Sequence, residues 1–141
     1  SFGWLFCVAW SAAHRVLHGV GRWQRQMCLR ARHVFGAQPG LQAISFEPDH
    51  NRADKQKEIC AAADYVDEGD GVIIVTDMFG SSPSNLSLTA CAPSDRRIIY
   101  GANLPMLLKL TKSRSKSVAD AVEKALEAGR KYIDSQNISI D

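Results

Sequence analysis

The spacing of apolar and polar residues predicts an alternation of strands and helices from residue 41 onwards. Leu41 to Phe46 alternates between the two types, which predicts a half-buried strand. Four β-branched residues, Val72 to Val75, predict a strand buried on both faces, as is typical of a parallel sheet. Helical spacing, caps and breakers predict the remaining elements: helices over 52–66, about 83–91, 104–110 and 117–133, and a strand over 96–100.

This order of elements favours an α/β fold: a single domain with an open, mostly parallel sheet flanked by helices on both faces. Residues 33–141 form most of the predicted domain. Residues 1–32 fit it poorly and are treated as an atypical N-terminal segment that should hold the first strand and helix. Arg15 to Gly19 is the predicted first strand. An out-of-frame reading of the gene over residues 1–32 is one hypothesis for the unusual composition there.

Composition narrows the class of protein without naming a function. The net charge of +2 is too small to indicate nucleic-acid binding, although residues 1–46 hold five arginines and no acidic residue. The apolar run Phe2 to Trp10 is too short to span a bilayer and lacks a basic flank before it. The four cysteines are widely separated, which argues against zinc and against a disulfide framework. We therefore expect a cytoplasmic protein with reduced cysteines, without membrane insertion and without a metal.

The segment Thr76 to Asn85 carries the candidate chemistry. Ligands of open α/β sheets bind beyond the carboxyl ends of the strands, and this segment follows the predicted buried strand. Asp77 supplies a carboxylate, Gly80 permits close backbone approach, and Ser81 and Ser82 supply hydroxyl groups next to a helix start. The same residue types are common in ordinary turns and caps, so the loop alone leaves a phosphate site and a structural turn equally open.

Two motifs resemble one known family. Gly71 to Leu86, GVIIVTDMFGSSPSNL, is similar to the signature of the mannose-type IIA domains of the bacterial sugar phosphotransferase system. Gly101 to Leu107, GANLPML, resembles that family's second signature, and the resemblance extends over about residues 33–135. It implies a carrier that accepts a phosphoryl group on a histidine from the phosphocarrier protein HPr and passes it to a IIB component.

The resemblance also implies roles for residues. Asp77 would orient the histidine, and Ser82, with Ser81, Gly80 and nearby backbone N–H groups, would bind the phosphoryl oxygens. The chemistry would need no metal or other cofactor, and family members of this kind are homodimers. Ser81 replaces a family glycine.

The histidine itself departs from the family pattern. The family places it in a Thr-His-Gly turn after the first strand, and the usual spacing before Asp77 leads to Val20. His18, followed by Gly19, is therefore the predicted phosphate acceptor after a local shift. The alternative is a regulatory or binding module that keeps the fold without the active histidine.

Overall fold

The computed structural model describes residues 3–8, 40–46, 49–92 and 95–137. Its strands are β1 (Gly3–Val8), β2 (Leu41–Ser45), β3 (Val72–Thr76) and β4 (Arg96–Ile99). Its helices in the same residues are α1 (Arg52–Val66), α2 (Ser82–Ser87), α3 (Leu104–Lys112) and α4 (Val118–Lys131), and a 3₁₀ turn, Thr89–Cys91, follows α2. The predicted elements from residue 41 onwards are confirmed, with small shifts at their ends.

The four described strands form a parallel sheet in the order β2-β1-β3-β4. Side chains of β3 alternate between the two faces of this sheet. Val72 and Ile74 belong to the core that α1 and α2 cover, whereas Ile73 and Val75 belong to the core beneath α3 and α4. All of β3 is buried, as the run of β-branched residues predicts. The predicted fold class is therefore confirmed.

The position of the first strand differs from the sequence prediction. The strand beside β3 is β1, Gly3–Val8, about ten residues before the predicted Arg15 to Gly19, a segment that lies outside the described residues. A six-residue apolar run is too short for a membrane span but suits a central strand of a parallel sheet. The predicted position of the first strand is therefore wrong.

Helix caps explain why the later elements begin where they do. The side chain of Asn51 accepts hydrogen bonds from two backbone N–H groups at the start of α1. Asn103 and Ser117 do the same for α3 and α4, accepting from the N–H groups of Met106 and Asp120. Each cap satisfies donors that the helix cannot bond internally.

Gly71, directly before β3, allows two chain segments to approach closely. Its φ of +92° lies in the left-handed region, and a Cβ there would lie 2.3 Å from the carbonyl oxygen of Asp95. Gly69 has a similar φ of +101° but no atom within 4 Å of such a Cβ. Both glycines therefore have a left-handed backbone conformation, but only Gly71 lacks the space for a Cβ atom.

We expect Gly71→Ala to lower the free energy of unfolding by about 3 kcal/mol, because backbone strain and a clash with backbone add together. Gly69→Ala, the matched control, carries only the strain, about 1 kcal/mol. Urea unfolding followed by circular dichroism measures both. Equal losses in the two variants would contradict the role assigned to the close contact.

Candidate functional site

The candidate site lies where β3 ends and its chain turns into α2. Residues 72–76 are fully buried, whereas Met78 and Phe79 are 62% and 77% exposed, so the chain leaves the core at Asp77. The backbone N–H groups of Gly101 and Ala102 donate to the carbonyl oxygens of Asp77 and Thr76, at 3.0 and 3.1 Å. The segment after β4 thus fixes the end of β3, which places both sequence motifs at one edge of the sheet.

Asp77 is the titratable group at the centre of this edge. Burial raises the pKa of its carboxyl group, and the backbone N–H groups of Met78 and of Asp77 itself offset only part of that rise. Its Oδ1 atom is buried and, like Oγ1 of Thr76, has no hydrogen-bond partner among the described residues. A buried acceptor without a donor costs free energy, so Asp77 gains from any N–H group placed beside it.

Of the three residues predicted to bind phosphate, two already have partners. The N–H of Gly80 donates to Oγ of Ser84 at 3.0 Å. The hydroxyl of Ser81 donates to the carbonyl oxygen of Met78 at 2.8 Å, so it does not cap α2. Ser82 is exposed, and its hydroxyl makes no hydrogen bond within the described residues.

The register of β1 against β3 shows which part of the chain approaches Asp77. Cys7 lies beside Thr76, so the following pair of residues is Val8 and Asp77. Val8, the last residue of β1, is therefore the residue of that strand nearest in register to Asp77. His18, the predicted acceptor, comes after β1 in the sequence and lies outside the described residues.

His50 is the histidine that the described residues do contain. It follows β2 at the same edge of the sheet, and its ring contacts Phe46 in a T-shaped arrangement, with centroids 5.4 Å apart. Two strand spacings, about 10 Å, separate β2 from β3 because β1 lies between them. Since Oδ1 of Asp77 has no hydrogen-bond partner among the described residues, His50 does not donate to it.

An aromatic pair stabilises the exposed side of the loop. The rings of Phe79 and Tyr100 meet edge to face, with centroids 5.1 Å apart. Tyr100 directly follows β4, so this contact joins the two loops a second time. The sequence prediction missed it, although an aromatic residue beside each motif was the available signal.

An open parallel sheet with a buried carboxylate at its carboxyl edge is typical of α/β proteins that bind ligands beyond the ends of their strands. Residues 18–127 match the sequence profile of the family described as the PTS system fructose IIA component, designated EIIA-man. The chain belongs to this family, as the two motifs predict. Membership places it among the phosphotransfer components of a sugar phosphotransferase system.

Individual relatives agree with this assignment. The mannose-specific EIIAB component of Escherichia coli K12 is 27% identical over 122 residues, which cover 84% of this chain and 38% of that protein. The chain thus spans about two-fifths of the length of this curated relative. The same values hold for the mannose-specific EIIAB component of Shigella flexneri.

Solved structures show the same fold. EIIA of the phosphotransferase system from Streptococcus agalactiae has a TM-score of 0.76 at 17% identity, covering 96% of this chain and 97% of that one. The mannose/sorbose-specific IIA subunit from Enterococcus faecalis has a TM-score of 0.76 at 13% identity, covering 99% and 98%. Within the described part of this chain, no helix has the length and apolar character needed to cross a bilayer.

Proposed function

We propose that this chain carries a phosphoryl group on a histidine, accepting it from HPr and passing it to a IIB component. The observation that carries the proposal is the buried Oδ1 of Asp77 at the edge of the sheet, which has no hydrogen-bond partner in the part of the chain that the structure describes. A carboxylate there holds the N–H of an imidazole, which leaves the other ring nitrogen neutral and free to attack.

The reaction exchanges one phosphorus–nitrogen bond for another. The free imidazole nitrogen attacks the phosphorus of phospho-HPr, and the bond between that phosphorus and the HPr histidine breaks. HPr leaves with its ring nitrogen free, and no water enters the balance. As the acceptor ring gains the phosphoryl group, its remaining N–H becomes a stronger donor to Asp77. Ser82 and the backbone N–H groups near it are the proposed donors to the phosphoryl oxygens.

His18 is the proposed acceptor, and His14 is the competing histidine in the segment that follows β1. With β1 at Gly3–Val8, both residues follow the first strand, whereas the strand predicted at 15–19 would have placed His14 before it. The homodimer implied by the resemblance and the cytoplasmic location expected from the cysteine usage remain part of this proposal.

A regulatory module without phosphoryl transfer is the second candidate. One observation favours it: the residues directly after β1 are Ala9, Trp10 and Ser11, where the family pattern has a Thr-His-Gly turn. Such a module would keep the loop between β3 and α2 as a structural turn.

Incubation with phosphoenolpyruvate, enzyme I and HPr separates the two candidates. We expect an acid-labile, base-stable phosphoryl label on the wild-type chain, lost in His18→Ala and kept in His14→Ala. Label lost only in His14→Ala would move the acceptor to that residue. A folded wild-type protein that takes no label would reject the carrier function and favour the regulatory module.

A further inference from the structure

The peptide groups flanking Gly80 are held from both sides by the helix that follows. The N–H of Gly80 donates to Oγ of Ser84 at 3.0 Å, and its carbonyl oxygen accepts from Nδ2 of Asn85 at 3.2 Å. The φ of Gly80 is +79°, in the left-handed region. Ser84 and Asn85 thus fix the turn through side chains that belong to α2 itself, four and five residues further along the chain.

The two side chains differ in burial, and this difference bears on their roles. Ser84 is 2% exposed and sits among the core residues under α2, so its hydroxyl position is set by packing. Asn85 is exposed, and its own backbone N–H donates to the carbonyl oxygen of Ser81 at 3.0 Å. The buried hydroxyl of Ser84 and the exposed side-chain amide of Asn85 therefore both hold Gly80.

This arrangement determines which polar groups of the loop remain for a ligand. Ser81 directs both its N–H and its hydroxyl to the carbonyl oxygen of Met78, at 3.4 and 2.8 Å. The N–H and the carbonyl oxygen of Gly80 are already hydrogen-bonded to the side chains of Ser84 and Asn85. Ser82, held between these bonded residues, keeps its hydroxyl uncommitted within the described part of the chain.

We infer that Ser84 and Asn85 are positioning residues for phosphoryl transfer, because they fix the turn at Gly80 that presents Ser82 beyond the end of β3. The inference rests on the proposed carrier function and extends it to two residues that need not touch the phosphoryl group. Transfer depends on donors held in place beforehand, since a loop ordered anew in each cycle costs conformational entropy.

The test compares Ser84→Ala and Asn85→Ala with Ser87→Ala in the steady-state transfer of phosphate from HPr, through this chain, to a IIB component supplied as the acceptor. Ser87 is a matched control because it is a fully buried serine of the same helix whose hydroxyl donates to Pro83, outside the turn at Gly80. We expect kcat to fall about tenfold in each of the first two variants, with the KM for phospho-HPr within about twofold of wild type. Ser87→Ala should keep the wild-type kcat.

Amide hydrogen exchange supplies a readout that does not depend on activity. The amide of Gly80 should exchange at least about fivefold faster in Ser84→Ala than in Ser87→Ala, because its acceptor is gone. Unchanged exchange, or a kcat within twofold of wild type in both variants, would overturn the inference while leaving the carrier function intact. A folded wild-type chain that takes no phosphate would reject both.

Discussion

Asp77→Asn is expected to reduce phosphorylation of this chain by HPr about a thousandfold while making the folded protein more stable. The loss follows from the proposed role of the carboxylate, because an amide can turn its NH₂ group towards the imidazole and favour the wrong tautomer. The rate of label uptake from phospho-HPr measures this effect.

The gain in stability follows from the burial of Asp77. Burial raises the folded-state pKa of Asp77 above its ordinary value of 3.8, so the ionised carboxylate destabilises the folded chain at neutral pH. Asparagine removes that cost. The difference between variant and wild type should be present at pH 7 and disappear as the pH falls below about 4, where the wild-type carboxyl group is protonated in both states.

Asp49→Asn is the control for both effects, since Asp49 is an exposed turn residue. It should leave both the transfer rate and the urea midpoint at wild-type values. An Asp77→Asn variant that accepts phosphate at the wild-type rate would contradict the orienting role of Asp77. A variant less stable than wild type at pH 7 would contradict the conclusion that ionised Asp77 destabilises the fold.

Arg96→Met is expected to lower the free energy of unfolding by about 4 kcal/mol. The Arg96 side chain is 7% exposed and donates to Asp64 at 2.7 Å, to Asp67 at 2.9 Å and to the carbonyl oxygen of Ala90 at 3.1 Å. These bonds join the start of β4 to the end of α1 and to the turn after α2. Methionine keeps much of the side-chain volume but leaves Asp67, only 15% exposed, without its cation.

Arg97→Met is the matched control, because Arg97 is the next residue of β4 and is exposed. It should change stability by less than about 0.5 kcal/mol. Arg96→Met combined with Asp67→Asn should recover part of the loss, since the uncompensated charge is then removed. Equal effects of Arg96→Met and Arg97→Met would contradict a stabilising role for the buried guanidinium group.

The pH dependence of this pair has the opposite sign to that of Asp77. Burial alone would raise the pKa of Asp67, but the N–H of Gly69 and the guanidinium of Arg96 outweigh it and lower the pKa below 3.8. The ion pair therefore contributes above about pH 4, and its contribution is lost as the pH falls through the folded-state pKa. The difference between Arg96→Met and wild type should shrink over that range.

The sequence was most informative where local signals agreed with one another. The β-branched run of β3, the helical spacing of apolar residues and the helix-opening Asn103 predicted the elements from residue 41 onwards to within a few residues. Each of these signals acts over one helical turn or one strand, so no knowledge of distant contacts was needed. Arg96 is the counterexample, because nothing near it in sequence indicates that its guanidinium group binds residues about thirty positions earlier.

The first strand and the site were predicted less completely. Gly3–Val8 has few residues, and only its pairing with β2 and β3 distinguishes it from another short apolar run. For the site, the motif identified Asp77 and the three loop residues as candidates. The motif could not show that the N–H of Gly80 and the hydroxyl of Ser81 already donate hydrogen bonds to nearby residues of the chain. Such local hydrogen bonds depend on backbone torsions, which no motif specifies.

The backbone bonds from Gly101 and Ala102 to the end of β3 have a consequence for protein engineering. The ten residues from Thr76 to Asn85 do not form a portable module, because the segment that opens α3 supplies part of their support. Transplanting this loop into another parallel α/β scaffold should succeed only when the stretch Tyr100 to Asn103 is moved with it onto the neighbouring strand. A chimera that receives only Thr76 to Asn85 would have the correct loop sequence but would lack the backbone hydrogen bonds that hold the loop in place.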